Sequence, residues 1–202
     1  MARTEFGKNR TSCACHLCVT NCRFMPGFLI PADLDRLLPP NADPFKWAER
    51  NLLASPGAMV MKDGQIFRIP TLVPATKSDG SCMHLSDKNL CTIHENAPFG
   101  CAFFDCGPPP EGLSEAGLRA VMEEWRKCSS LYFLLWHHLN TRGKTQRSPE
   151  ESRRRMREAL EAEAEEQRKI EIAIERLEIM EREQPEQFVR LKKWSESLHD
   201  RE

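Results

Sequence analysis

The chain has 202 residues, 40% of them apolar and 29% charged, with a formal net charge of −1. That length accommodates one domain with a real core plus an appendage, and the near-neutral balance offers no electrostatic case for a nucleic acid or an anionic membrane as partner. The start, Met1-Ala2-Arg3-Thr4-Glu5-Phe6, has no apolar stretch behind its charges, and the most apolar run, Leu131 to Trp136, is too short to cross a bilayer; the expected location is the cytoplasm.

Taken in order, residues 1–12 read as a flexible polar arm, 13–142 as a cysteine-rich domain and 146–202 as a charged helical extension. The first cysteine segment, Cys13 to Cys22, is expected as a tight loop. Pro31 to Leu38 reads as a short helix with Leu34, Leu37 and Leu38 on one face, stopped by Pro39-Pro40. A second helix is predicted from Asp43 as N-cap and Pro44 at its first position, with Phe45, Ala48, Leu52 and Leu53 at helical spacing. After Ser55-Pro56-Gly57 the period shortens to that of a strand. Met59 to Lys62 and Gln65 to Ile69 form a predicted hairpin on the turn Asp63-Gly64, and Thr71 to Val73 a third extended piece.

The second cysteine segment runs from Cys82 to Cys106, and Pro108-Pro109-Pro110 closes it. Ser114 caps an apolar helix carrying Leu118, Val121, Met122, Trp125, Cys128, Leu131 and Leu135. Ser148-Pro149-Glu150-Glu151 starts a long helix in the tail. Its stripe of Met156, Leu160, Ile170, Ile174 and Leu177 is interrupted by Glu163 and Gln167, too short for a sustained coiled coil. Pro185 ends it, and Phe188, Leu191, Trp194 and Leu198 mark a final short helix. This tail is expected to bind a protein partner or a second copy, or else to lie as a solvated helix with one face on the main domain. The fold class expected is α+β: a small loop-rich cysteine-cluster domain with a β-hairpin and packing helices, plus the helical extension.

Nine cysteines are many for a chain in a reducing compartment, where disulfides are disfavoured, and an odd total excludes complete internal pairing. Eight of them fall in the two short segments, which points to a metal. Cys15-x2-Cys18-x3-Cys22 brings three soft donors together, suited to zinc, copper(I) or iron–sulfur centres. Cys82, Cys91, Cys101 and Cys106 are spaced by 9, 10 and 5, unlike standard zinc fingers. The candidate ligands are therefore Cys13, Cys15, Cys18, Cys22, Cys82, Cys91, Cys101 and Cys106. Eight thiolates can build two closed zinc sites, or one iron–sulfur cluster with others to spare; the long spacings of the second group tilt the choice towards iron. His16, His84 and His94 are candidates for a mixed site. Cys128, on the apolar helix, reads as a core thiol, and of His137-His138 at most one faces the core. No nucleotide-binding or nucleophile-elbow motif is present, and Cys15-x2-Cys18 lacks the βαβ setting of a thioredoxin-like site.

The stretch Cys91-Thr92-Ile93-His94-Glu95-Asn96-Ala97-Pro98-Phe99-Gly100-Cys101-Ala102-Phe103-Phe104 resembles the C-[ST]-I-Y-E-x-R-P-x-x-C-x-x-F segment of the YkgJ-like cysteine-cluster family, a zinc- or iron-chelating domain. Cys15, Cys18 and Cys22 match the first, second and fourth cysteines of that family's C-x2-C-x2-C-C mark, and Cys82 its isolated cysteine. The chain departs from the pattern at Asn21, His94 and Ala97, where the family has Cys, Tyr and Arg; Cys13 can substitute for the missing cysteine. The resemblance spans about residues 13–106 and implies metal chelation, with iron–sulfur binding plausible. Because the family includes members resembling flagellin lysine N-methylase, it also allows a redox or methyl-transfer enzyme. A structural-zinc adaptor working through residues 146–202 is the remaining expectation.

Overall fold

The structure, a computed structural model, describes residues 4–9, 16–62, 65–103, 111–127 and 129–199; the side chains of 9, 16–18, 58–62, 65–66, 149 and 193–199 fall outside that description. The chain is α+β and divides into two compact units, Met1–Arg153 and Arg154–Glu202. Among the described residues no helix is long and apolar enough to cross a membrane.

Residues expected as part of a flexible arm instead form a miniature hairpin, β1 (Thr4–Glu5) against β2 (Lys8–Asn9). Its two-residue turn, Phe6-Gly7, has positive φ at both positions, the geometry that suits the twist of short hairpins. Two contacts hold it down: the Phe6 ring meets Phe99 edge-on at 6.0 Å, and Glu5 pairs with Arg36 at 3.0 Å.

Helix α1 (His16–Phe24) occupies most of the segment expected as the first cysteine loop. It is followed by α2 (Pro31–Leu37), with Pro31 at its first position, and by α3 (Pro44–Asn51). Asp43 caps α3 as expected, accepting from the backbone N–H of Phe45 at 2.9 Å and of Lys46 at 3.0 Å. Leu52 and Leu53 are not helical, however. They open a long strand, β3 (Leu52–Lys62), which pairs antiparallel with β4 (Gln65–Pro74). The turn Asp63-Gly64 lies outside the described residues.

This hairpin runs through the segment after which the strand period was expected to begin. Ser55-Pro56-Gly57 forms a bulge, the register jumping from Ser55↔Thr71 to Ala58↔Ile69, and Pro70 faces the bulge, where its missing N–H costs no ladder bond. Gly57 has φ +107°, and a Cβ there would lie 2.0 Å from the Ile69 carbonyl oxygen. Two indoles donate to carbonyls at the irregularity: Trp136 Nε1 to Ser55 at 2.9 Å and Trp125 Nε1 to Pro70 at 3.0 Å. The two rings stand edge to face at 4.9 Å.

The single long helix predicted from Ser114 is two, α5 (Leu113–Lys127) and α6 (Leu131–Thr141). Ser130 caps α6, accepting from the N–H of Phe133 at 3.3 Å; Cys128 lies outside the described residues. The helices bury Leu113, Gly117 and Val121 on α5 and Tyr132, Leu135 and Leu139 on α6 against the hairpin and the Leu29–Leu34 segment. Of the two adjacent histidines, partly buried His138 bonds Glu49 at 2.9 Å, while His137 is exposed and stacks on Phe133. Helix α7 (Pro149–Glu183) begins in the last residues of the first unit and runs on into the second, where it meets α8 (Pro185–His199) at Gln184, before Pro185.

Candidate metal centre

Four of the candidate cysteines, Cys22, Cys82, Cys91 and Cys101, lie within the described residues with their side chains, and all four are free thiols. Each comes from a different local structure. Cys22 sits in the last turns of α1, and its carbonyl accepts the Cys82 N–H at 2.7 Å. Cys82 follows a tight turn in which the N–H and hydroxyl of Ser81 both donate to Asp79 Oδ1, at 2.8 and 2.7 Å. A bridge between Leu85 and Cys91 closes the next loop, whose tip residue Asn89 has φ +58° and accepts from Arg23 at 3.1 Å. Arg23 and Cys22 are neighbours in α1, so one helix end holds both loops. Cys101 lies on the short helix α4 (Phe99–Ala102), and its Sγ accepts the Gly27 N–H at 3.2 Å.

That last contact depends on two glycines. The backbone at Gly27 crosses that at Gly100 so closely that a Cβ on Gly27 would stand 2.2 Å from the Gly100 carbonyl carbon. A Cβ on Gly100 would meet the Phe28 nitrogen at 2.5 Å. With no side chains in the way, Gly100 N–H bonds Phe28 O at 2.8 Å and Cys101 is brought to Gly27. Asp33 fixes the crossing from below. Its fully buried carboxylate accepts from the N–H groups of Ile30 and Phe99, both at 2.8 Å, and pairs with Arg36. A buried carboxylate is tolerable only when bonded in this way. Phe99 in turn packs on α5 at Gly117, where a Cβ would come within 2.5 Å of its ring.

The four thiols are mutual electrostatic neighbours, and three of them shift in the same direction. Burial pushes Cys22 up, with the Cys91 thiol adding to it. Cys82 is pushed up to about 11, chiefly by burial, with Cys22 and Cys91 reinforcing. Cys101 is pushed higher still by burial, then by Cys22, Cys82 and Cys91. Without a cation these three side chains are protonated at neutral pH. A nucleophilic or redox-active cysteine needs a lowered pKa, which is the opposite arrangement. A soft cation placed among them would supply the missing positive charge and displace the protons.

Among the described residues no group of three or more His, Cys, Asp or Glu side chains is positioned to hold a metal ion. The thiols are gathered but not drawn together to ligating distances. Cys18 lies one helical turn before Cys22 in α1, while its side chain, like Cys13, Cys15 and Cys106 altogether, is outside the described residues. So are the His16 side chain, Asp105 and Phe104. His84 is partly buried beside Cys82, burial lowering its pKa. His94 is exposed at the start of a 3-10 turn, His94–Asn96. Phe99 and Phe103 are buried core residues with rings 5.2 Å apart.

Sequence reading alone passed over Gly27, Gly100 and Asp33. Asp33 carried a signal, an acidic residue three positions after the N-cap at the head of a Pro-initiated helix. The glycines carried only their proximity to cysteines. No protein-family model, curated protein or solved structure matches the chain.

Proposed function

We propose that this chain is a metal-binding protein that chelates iron, in an iron–sulfur cluster, or zinc through its clustered thiolates. The observation that supports the reading is that Cys22, Cys82, Cys91 and Cys101 come from separate local structures to one side of the fold, the Cys82 N–H bonding the Cys22 carbonyl at 2.7 Å, near enough for each thiol to bear on the titration of another. Thiolates are soft donors that suit these metals and not magnesium or calcium. The N–H of Gly27 on Cys101 Sγ is the kind of outer hydrogen bond that orients a thiolate ligand and tunes its metal. Cys13, Cys15, Cys18 and Cys106 complete the proposed ligand set. This reading takes the chain as a cytoplasmic member of the YkgJ-like family.

Elemental analysis of anaerobically purified protein, with its visible spectrum and acid-labile sulfide, tests the proposal. Iron with sulfide and a brown colour is the expected result; colourless protein with stoichiometric zinc selects the structural-zinc form. Metal-free protein overturns the reading, as does a Cys101→Ser variant with undiminished metal content.

A second reading concerns the tail. Leu160, Ile170, Ile174 and Leu177 are all exposed on α7, and large apolar side chains along one helix mark an association surface. In that reading the 146–202 segment binds a partner protein or a second copy, and the metal serves structure.

A further inference from the structure

Apart from the thiols, the first unit contains a cleft of about 370 Å³, within the range of small-molecule sites. It forms because two short segments flank the hairpin. On one side Leu29 pairs with Leu72, their N–H and carbonyl 2.8 Å apart. On the other, Ala54 is bracketed by the Lys144 carbonyl and the Gln146 N–H, each at 2.8 Å. The bulge at Ser55–Gly57 opens the hairpin between these segments, and the cleft lies over it.

Its walls are chiefly apolar, with Phe28, Val73 and Phe103 among them. Of the four hydroxyl residues in that lining, Ser114 is exposed, while Ser55, Thr71 and Ser152 are buried, only 6%, 1% and 4% exposed. Ser55 Oγ accepts from Gly57 N–H at 3.1 Å, leaving its own proton to donate. Among the described residues, no hydrogen bond engages the hydroxyl of Thr71 or Ser152. Buried hydroxyls are ordinarily bonded, and this pair in the cavity wall has its donor and acceptor capacity free for an entering polar group. Exposed Arg147 contributes a cationic side chain to the same lining.

We propose that this cleft binds a small carboxylic acid with an apolar body, its carboxylate held by Arg147 and the buried hydroxyls and its body against Phe28, Val73 and Phe103. A bare inorganic anion would leave the apolar wall uncovered. A hydrocarbon without a head group would leave the hydroxyls unsatisfied. The proposal does not depend on metal binding, which is measured separately on the same protein.

Titration of the full-length protein with 4-phenylbutanoate, followed by calorimetry and by shifts of the Val73 methyl resonances, tests it. The expected result is saturable one-site binding, with the matching neutral amide about tenfold weaker. Arg147→Gln should weaken the acid by about the same factor, and Ser152→Leu, which fills the cleft, should abolish binding with the melting temperature retained. Arg147 is exposed, so its variant keeps the test valid if Ser152→Leu does not fold. Absence of saturable binding, amide binding as tight as the acid, or an Arg147→Gln protein of unchanged affinity would each overturn the proposal.

Discussion

Two regions of the first unit are held by different physics. The layer of hairpin and helices buries Leu29, Leu72, Val121, Leu135 and Leu139 completely and threads polar anchors such as Tyr132 and Asp33 through the same core. The cysteine loops between residues 75 and 98 bury few large apolar side chains, Leu85 chief among them. Their order rests on turn hydrogen bonds and on the end of α1. A region with so little apolar burial cannot offset the conformational entropy of ordering it, so a metal cross-link has most to contribute there. Where burial supplies the free energy, the thiols add little.

The largest effect is expected where the two regions touch. Gly27→Ala drives a Cβ into the backbone at Gly100, and neither chain can move without disturbing the Asp33 carboxylate or the Cys101 contact. Urea unfolding should show a loss of about 3 kcal/mol. A variant as stable as the parent would mean that the crossing is looser than described.

Tyr132 comes next, as an anchor of the apolar layer alone. Its hydroxyl donates to Leu29 O at 2.7 Å and accepts from Leu72 N–H at 2.9 Å, tying α6 to both chains of the bridge beneath the cleft. Tyr132→Phe strands both backbone groups in the core, at a cost of about 2 kcal/mol. Burial is the main cause raising the Tyr132 pKa, and the Asp33 charge adds to it. The folded protein thus holds this proton more tightly than the unfolded chain, where the phenol titrates near 10.0. Its contribution is complete below that pH and is lost as the pH rises above it. The stability gap between parent and Tyr132→Phe should therefore shrink on alkaline titration, since titrating thiols affect both proteins alike. A gap that stays constant to high pH would show that the phenol is not buried.

If the thiols hold a metal as proposed, chelation should separate the regions further. Amides between residues 75 and 98 are expected to exchange at least tenfold faster after metal removal, while those of β3 and β4 keep their protection, as local opening confined to one unit requires. Equal loss in both regions would show that the metal stabilises the whole domain cooperatively.

What could be read in advance follows the same division. Local chemistry was legible: Asp43-Pro44 starts α3, Ser148-Pro149 precedes α7, and Pro185 separates α8. The structure departs from the local signal where a tertiary partner overrides it. Ser55-Pro56-Gly57 reads as a break but is a bulge, because Pro70 stands opposite and two indoles take the carbonyls. Leu52 and Leu53 fit a helical period yet extend, because Val73 and Pro74 pair with them. At the candidate site the clustering of cysteines is visible in the sequence, and four of them lie among the described residues. The Gly27–Gly100 crossing is not visible there, since the two segments lie far apart in the chain and glycine spacing encodes no contact. The cleft was also hidden, being made by a bulge and by two flanking segments that no periodicity reveals.

The smallest effect is expected from removing the second unit. The chain separates after Arg153, and the large apolar side chains of α7 are exposed rather than packed: Leu160 keeps 48% of its surface, Ile170 47% and Ile174 51%. Side chains so exposed contribute little to folding, and their ion pairs, such as Arg154 with Glu158 at 2.6 Å, lie within one helix and are screened by solvent. Truncation after Arg153 keeps Ser152 and the cleft lining, and should change the unfolding free energy of the remainder by no more than about 0.5 kcal/mol. If α7 instead mediates association, the full chain will sediment as a larger species whose apparent stability rises with concentration. Ile170→Glu with Ile174→Glu should then abolish that dependence without altering the dilute-limit stability. A truncated protein that melts well below the parent at every concentration would show that the long helix supports the first unit directly.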